Sequence, residues 1–280
     1  MIEIGKKQKL KIGRAVDFGV YLTDGKEEVL LPNKYVPFGY EIGNEVEVFV
    51  YTDSMDRPVA VTDEPLGQVG DLVALEVKQI AKVGAFMDIG LEKDLLVPFR
   101  EQDGKLMEGR RYPVKVLLDN RTQRMIGVTR IDAFLEKGHE GLTEGEEVNI
   151  IVWQKTDMGF KVVINGKYLG LVYANEVFQP LKIGDEQKAY IKKLREDGKI
   201  DIALQKQGYA AVKDMSLVVL DKIRFHGGVL PLGDKSSPEE IKESLGMSKK
   251  NFKKILGGLY KAGEVEIFDF EVRLKSGRLA

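Results

Sequence analysis

The 280-residue chain contains no cysteine, only two histidines and a single tryptophan. Without cysteine there can be no disulfide bond, no thiolate metal ligand and no thiol nucleophile. His139 and His226 each lie alone in their segments, with no cluster of carboxylates at metal-ligand spacing, so we predict no metal site and no cofactor. Neither a nucleophile-elbow motif nor a catalytic pair of carboxylates stands out. We therefore expect a protein without catalytic activity.

The sequence also lacks a run of about 18 apolar residues, the length that a membrane-spanning helix needs. Its first residues, Met1 to Lys6, do not show the basic-then-apolar order of a signal peptide. These two absences predict that the protein does not contact a membrane and that it is cytoplasmic.

An excess of charge of either sign is missing as well, because 43 basic side chains face 44 acidic ones. This sum conceals an uneven distribution along the chain. Residues 1–66 carry 8 basic and 12 acidic side chains, whereas residues 209–280 carry 13 and 10. Near-neutrality therefore does not exclude nucleic-acid binding, but it predicts a modest binder that relies on local Arg and Lys.

Three segments of the sequence share a glycine in a similar context, at Gly19, Gly84 and Gly159. A second glycine follows each of them 24 or 25 positions later, and apolar residues then alternate with other residues as in a half-buried strand. Self-similarity at this period indicates one small fold used three times, with about five short strands in each unit. Short strands with frequent turns favour a closed barrel over a sandwich, because closure removes the sheet edges.

The last 72 residues follow a different pattern. Apolar spacing predicts a helix over Lys213 to Phe225, and the run from Ser237 to Glu240 is typical of a helix N-terminus. Ser248 then caps a third predicted helix, Lys249 to Ala262, and two short strands flank Asp269. Helix, short strand, two helices and a hairpin is the order of a winged helix. The predicted organisation is thus a barrel at 1–66, a second at 67–140, a third at 141–208 and a winged-helix domain at 209–280.

The run Asp17-Phe18-Gly19-Val20-Tyr21, together with Gly170 to Glu176 and Ile183 to Asp185, resembles the S1 RNA-binding domain. That domain is a five-stranded OB-fold barrel. Three such units followed by a winged helix resemble the bacterial CvfB family of S1-like RNA-binding proteins over nearly the whole chain. The resemblance implies a mainly β fold with an α+β winged-helix domain at its end, single-stranded RNA as the ligand, and a role in post-transcriptional regulation of gene expression.

The resemblance further implies that RNA lies on one face of each barrel, near the first glycine and the last two strands. The candidate RNA-binding residues at or near these positions are Phe18, Tyr21, Arg57, Phe86, Arg100, Arg121, Arg124, Phe160, Tyr173 and Lys199. The match to the family is partial, since Phe160 lies one position early and Tyr173 stands where the family has histidine.

Physical chemistry agrees with these residue types, because exposed aromatic rings stack on unpaired bases at about 1–3 kcal/mol each while Arg and Lys neutralise phosphates. An ordinary role remains open for every one of them. Aromatic rings of small barrels commonly belong to the core, and charges in turns are commonly just solvated. Trp153 points outward by strand alternation, and for this residue we favour a contact between domains over a base platform.

Four lysines of the third predicted helix in the last domain are candidates for nonspecific nucleic-acid contact, namely Lys249, Lys250, Lys253 and Lys254. They also fit the solvated side of an amphipathic helix. Lysine lacks the bidentate geometry of base readout, which disfavours sequence-specific recognition of DNA.

We therefore predict a monomeric, non-catalytic protein that binds single-stranded RNA. Two alternatives remain open: a protein-interaction scaffold of OB and winged-helix modules, and a DNA-binding regulator that acts through the winged helix. A basic groove with exposed aromatic rings favours RNA, and an uncharged apolar patch on the same face favours a protein partner.

Overall fold

A computed structural model of the chain describes residues 1–177, 179–205 and 209–275. The first barrel consists of β1 (Lys6–Val16), β2 (Gly19–Thr23), β3 (Glu28–Pro32), β4 (Glu45–Thr52) and β5 (Pro58–Val61). The second consists of β6 (Leu72–Ala81), β7 (Gly84–Met87), β8 (Leu95–Pro98), β9 (Arg111–Leu118) and β10 (Met125–Val128). The third consists of β11 (Glu147–Thr156), β12 (Gly159–Ile164), β13 (Tyr168–Tyr173), β14 (Glu186–Leu194) and β15 (Ile200–Ala203).

All three barrels close in the same order. The first strand of each pairs with the second and the fourth, and the third strand runs parallel to the fifth. A short 3-10 helix follows the third strand in each barrel, at Asn33–Tyr35, Phe99–Glu101 and Ala174–Glu176, and another at Ile131–Phe134 leads into the third barrel.

Close backbone approach explains the repeated glycine at the start of the second strand. A Cβ on Gly19 would lie 2.2 Å from the carbonyl oxygen of Leu31 on β3, and Gly84 and Gly159 meet the next strand in the same way. Real Cβ atoms never come so near, so only glycine lets the strands bend this tightly around the barrel.

A β-bulge interrupts the first strand of every barrel at an equivalent place. The pairing register shifts around Gly13 in β1, Lys78 in β6 and Trp153 in β11. A bulge leaves one residue outside the ladder and re-aims its side chain. In the third barrel the bulge residue is the single tryptophan.

Trp153 lies between the second and third barrels and is almost fully buried. It belongs to an apolar cluster with residues of β6, β11, β12 and the connecting 3-10 helix, namely Leu72, Ala74, Ile131, Ile151 and Val163. The predicted domain contact of Trp153 is therefore confirmed. The first two barrels share one continuous apolar cluster, which includes Phe49 and Tyr51 from one barrel and Ile89 and Leu91 from the other.

The last domain contains α1 (Tyr209–Phe225), β16 (Val229–Leu230), α2 (Pro238–Leu245), α3 (Lys249–Lys261), β17 (Val265–Ile267) and β18 (Val272–Leu274). Ser237 and Glu240 form the predicted capping box of α2, and Gly246 ends that helix in the left-handed conformation. A three-stranded sheet in the order β16-β18-β17 packs against the helices around an apolar core.

The predicted fold class, three five-stranded barrels followed by a winged-helix domain, is confirmed. Within the described ranges, no helix combines the length and the apolar character that crossing a membrane requires.

Candidate nucleic-acid interface

Strand register defines one row of side chains across the outer face of each barrel, which we call the outer row. It runs over the strands in the order first, second, third, fifth, fourth. In the first barrel the row is Arg14, Tyr21, Leu30, Val59 and Tyr51. In the second it is Gln79, Phe86, Leu96, Ile126 and Leu117. In the third it is Gln154, Lys161, Leu171, Asp201 and Lys193.

The three outer rows differ in chemistry. The second barrel presents half-buried apolar side chains from Phe86 to Leu117, whereas the third presents Lys161 and Lys193, with the buried Asp201 between them. A charged row is suited to a phosphate backbone, and an apolar row offers a stacking surface with little charge. The third barrel is therefore the most polar of the three at the position where S1-type barrels carry their platform.

In the first barrel, the candidate aromatics lie on the outer face but the charges around them are balanced. Tyr21 sits beneath Arg14, whose guanidinium carbon is 3.8 Å from the ring centroid. Arg14 in turn pairs with Glu28 at 2.9 Å, and hydrogen bonding to this carboxylate raises the pKa of Arg14. Phe18, in the turn between β1 and β2, is 58% exposed.

The candidate basic residue of this barrel is also neutralised. Arg57 donates two hydrogen bonds to the Asp53 carboxylate, at 2.9 and 2.7 Å. Both hydrogen bonds go to Asp53 Oδ2, and this ion pair spans the turn between β4 and β5. It leaves Arg57 with little free charge for a phosphate.

The candidate cations of the second barrel behave similarly. Arg100 lies beside Glu101 at 3.1 Å, and Arg124 pairs with Asp56 of the first barrel. Arg121 is exposed and makes no ion pair within the described part of the chain. All three arginines thus lie on the protein surface, but Arg100 and Arg124 already pair with carboxylates.

In the third barrel, the candidate Tyr173 is the centre of a polar cluster. Its hydroxyl accepts a hydrogen bond of 2.7 Å from Arg195, which also forms two-pronged contacts of 2.8 to 3.1 Å with Asp201. Lys192 lies over the ring, with Nζ 5.9 Å from the centroid, and pairs with Glu176. We call Tyr173, Lys192, Arg195 and Asp201 the Tyr173 cluster.

The Tyr173 cluster holds a half-buried aromatic ring in one position beside two cations. Hydrogen bonding to Asp201 raises the pKa of Arg195, so the guanidinium stays charged. Asp201 is the outer-row residue of β15 and is almost fully buried. A fixed ring beside basic side chains is the arrangement that binds an unpaired base together with its phosphate.

Sequence reasoning missed three basic residues of this face: Lys161, Lys192 and Arg195. The register would have identified Lys161, because it faces Gln154 just as Tyr21 faces Arg14. The run from Lys192 to Arg195 is a visible signal in the sequence, but Lys192 lies near the end of β14 and Arg195 at the start of the last turn, outside the positions that the motif indicates. The predicted Lys199 does lie in that turn and pairs with Asp197 at 2.6 Å.

Phe160 requires a correction. It lies on β12 in phase with the buried Val162 and packs against the core of the third barrel. One position of offset from the motif turns a strand side chain to the opposite face, so Phe160 does not belong to the outer platform. Lys161 takes that place.

The lysine candidates of α3 lie on one side of the helix. Lys253 pairs with Asp234 at 2.9 Å, and this contact lowers the pKa of the Asp234 carboxyl. Lys250 and Lys254 are exposed and form no ion pair among the described residues, and Lys249 is half-buried. The helix buries Phe252, Ile255, Leu256 and Leu259 on its other side.

Comparison with known proteins gives two domain matches. The S1 domain family matches residues 4–63, and the CvfB-like winged helix domain matches residues 218–274. The chain thus combines a first barrel that matches the S1 domain with a last domain that matches the CvfB-like winged helix, and nucleic-acid binding is the function class that these domains indicate.

Relatives along most of the chain carry the CvfB name, which confirms the resemblance to that family. Conserved virulence factor B of Staphylococcus epidermidis is 26% identical over 236 residues, covering 81% of this chain and 79% of its own. The uncharacterized protein YitL of Bacillus subtilis is 27% identical over 268 residues, covering 93% and 90%. A solved structure described as a multidomain protein with nucleic acid binding domains, from Streptococcus pneumoniae, covers 97% of this chain and 98% of its own at 22% identity and a TM-score of 0.48.

Proposed function

We propose that this protein binds single-stranded RNA through the outer face of its third barrel and acts without catalysis as a post-transcriptional regulator in the cytoplasm. The observation that carries the proposal is the Tyr173 cluster, in which a half-buried ring is fixed by Arg195 and flanked by Lys192. A base stacks on the ring, and the cations attract the phosphates on either side.

The winged-helix domain supports the same ligand with a sequence-independent contribution. The exposed Lys250 and Lys254 offer point charges to a phosphate backbone, and α3 places them side by side one turn apart. Each module binds weakly, and linkage through the chain raises the overall affinity by effective concentration.

The test compares Tyr173→Ala with the unchanged protein in fluorescence anisotropy on a labelled single-stranded oligouridylate. Loss of one stacked base predicts weaker binding by about 1–3 kcal/mol. Phe38→Ala is the matched control, because this fully exposed ring belongs to the first barrel, whereas the Tyr173 cluster belongs to the third. Equal loss in both variants, or equal affinity of the unchanged protein for RNA and duplex DNA, contradicts the proposal.

RNA contact in cells and the absence of catalysis are tested by two separate experiments. Crosslinking of the protein to RNA, with mapping of the contact peptides, is expected to recover segments around Tyr173. Incubation of purified protein with a defined RNA is expected to leave its length unchanged. The appearance of shorter products would show a nuclease instead.

A protein partner is the second candidate ligand, favoured by α1. Leu217, Val218 and Phe225 of this helix are all more than half exposed. Such large apolar side chains on one helix are uncommon on an unpartnered surface. Sedimentation of the protein alone distinguishes self-association from the expected monomer.

A further inference from the structure

The turn between β4 and β5 of the first barrel inserts its oxygens between two basic side chains of the second. Lys93 Nζ donates to the carbonyl oxygens of Thr52 and Asp53, at 3.1 and 2.7 Å. The guanidinium of Arg124 pairs with the Asp56 carboxylate, and Lys93 Nζ lies 3.9 Å from the same carboxylate. The Asp56 carboxylate and two backbone carbonyl oxygens thus already bind the two cations, Lys93 and Arg124.

This turn is held rigidly in the shape that presents its oxygens. The Asp53 carboxylate accepts hydrogen bonds from the backbone of Met55 and Arg57, and Asp56 adopts a left-handed conformation with φ at 63°. A non-glycine residue with positive φ is uncommon, and here it aims the Asp56 side chain away from its own barrel.

The two cations are in a position where a nucleic acid could reach them. Arg124 directly precedes β10, and Lys93 lies in the segment just before β8. Their side chains are 48% and 34% exposed while the contact with Asp56 is in place. Burial lowers the pKa of Lys93, while the charge of the Asp56 carboxylate raises it and that of Arg124 lowers it.

We propose that Lys93 and Arg124 form a phosphate-binding subsite for an RNA backbone on the second barrel, and that Asp56 occupies this subsite as an internal competitor. The inference rests on the proposed function, since RNA supplies the phosphates. Asp56 offers one carboxylate oxygen to Arg124 and the other to Lys93, as two oxygens of a phosphate would. At rest, these two cations therefore contribute nothing to RNA affinity.

The experiment measures the affinity for a fluorescein-labelled single-stranded oligouridylate between about 50 and 200 mM salt. Asp56→Asn removes the charge and keeps the backbone, because asparagine tolerates positive φ. Two freed cations predict tighter binding at low salt, by about 5-fold or more, and a salt slope steeper by about 1.4, since each phosphate contact on a single strand adds about 0.7. Glu41→Gln is the control, with the same change of net charge on an exposed residue of the same barrel.

The combined variant Asp56→Asn with Arg124→Ala locates the effect. It is expected to lose at least half of the gain in slope, whereas Arg124→Ala alone leaves the slope of the unchanged protein in place. A gain equal to that of Glu41→Gln overturns the subsite. So does weaker binding by Asp56→Asn together with a lower melting temperature, because a purely structural contact predicts that result.

The two proposals fail in different ways. If the unchanged protein does not bind the oligouridylate, the proposed function is wrong and this inference falls with it. If the unchanged protein binds, and Tyr173→Ala weakens it while Asp56→Asn leaves the slope as it was, only this inference is wrong.

Discussion

Arg195 Nη2 donates a hydrogen bond of 2.7 Å to the hydroxyl of Tyr173, and the same nitrogen together with Nε donates to the Asp201 carboxylate. The planar guanidinium satisfies both partners at once, which a lysine ammonium cannot do in the same geometry. The position of the aromatic ring in the third barrel thus depends on an arginine two strands away in the sheet order.

Replacing Arg195 tests this dependence. We expect Arg195→Lys to weaken RNA binding almost as much as Arg195→Ala. Lysine keeps the positive charge, but the Tyr173 ring loses the hydrogen bond that holds it in place. Anisotropy with a labelled single strand measures the effect. Binding by Arg195→Lys equal to that of the unchanged protein would show that charge alone matters at this position.

The close approach at Gly19 predicts a large effect from one methyl group. Gly19→Ala drives a Cβ to within 2.2 Å of the Leu31 carbonyl oxygen, so we expect the free energy of unfolding to fall by roughly 1–3 kcal/mol, as in overpacked cores. Gly258→Ala is the opposite case. Gly258 sits inside α3, and a Cβ added there would meet nothing within 4 Å. That change is expected to stabilise the protein by about 0.5–1 kcal/mol. Urea unfolding measures both, and equal effects would contradict the steric explanation.

Trp153→Ala is expected to uncouple the second and third barrels. Removal of a buried tryptophan typically costs about 3–5 kcal/mol, and here the loss falls on an interface between domains. Calorimetry should therefore show a separated unfolding transition for the two barrels. Met158→Ala serves as control, because that side chain is largely exposed. A single transition shifted equally in both variants would argue against the domain contact.

The contact between the first two barrels predicts a loss of stability in alkali. Burial, reinforced by Tyr35 and Glu92, raises the pKa of Tyr51 to about 12. An unfolded tyrosine titrates near pH 10, so the folded state holds this proton more tightly. The resulting stability is complete below about pH 10 and is lost as the pH rises towards 12. Unfolding across this range should show less loss for Tyr51→Phe than for the unchanged protein; parallel curves would contradict the assignment.

Removing the lysines of α3 tests the contribution of the winged-helix domain. We expect the double variant Lys250→Ala with Lys254→Ala to reduce the salt slope of RNA binding by about 1.4, since each lost phosphate contact on a single strand removes about 0.7. Lys253→Ala should have less effect, because Asp234 already neutralises Lys253. An unchanged salt slope in the double variant would show that Lys250 and Lys254 are merely solvated and do not contact RNA.

The fold was accessible from the sequence because its signals are local and periodic. The recurring context of Gly19, Gly84 and Gly159 predicts one small fold used three times, and Ser237 and Ser248 predict where α2 and α3 begin. The outward direction of Trp153 followed from strand alternation alone. The helix caps and the strand alternation depend only on near neighbours in the chain, and the repeat is visible by comparing one segment with another.

The site was less accessible, because it depends on which strands lie side by side. Tyr173 and Arg195 are 22 positions apart in the chain and meet only when β13 and β14 flank β15. Pairing of Arg124 with Asp56 crosses between two barrels. Phe160 shows a further limit, since a shift of one residue in an approximate motif reverses the direction of the side chain.

The bulge shared by the three barrels lies outside the hydrogen-bonded ladder, and its occupants differ completely in size: Gly13, Lys78 and Trp153. All three barrels close in the same order with these different residues at the bulge, so barrel closure does not depend on which of the three is present. The bulge position carries no side chain in the first barrel and a cation in the second. In the third barrel it carries a tryptophan that packs against the neighbouring barrel. The relative placement of the modules is thereby adjustable independently of the folding of each one.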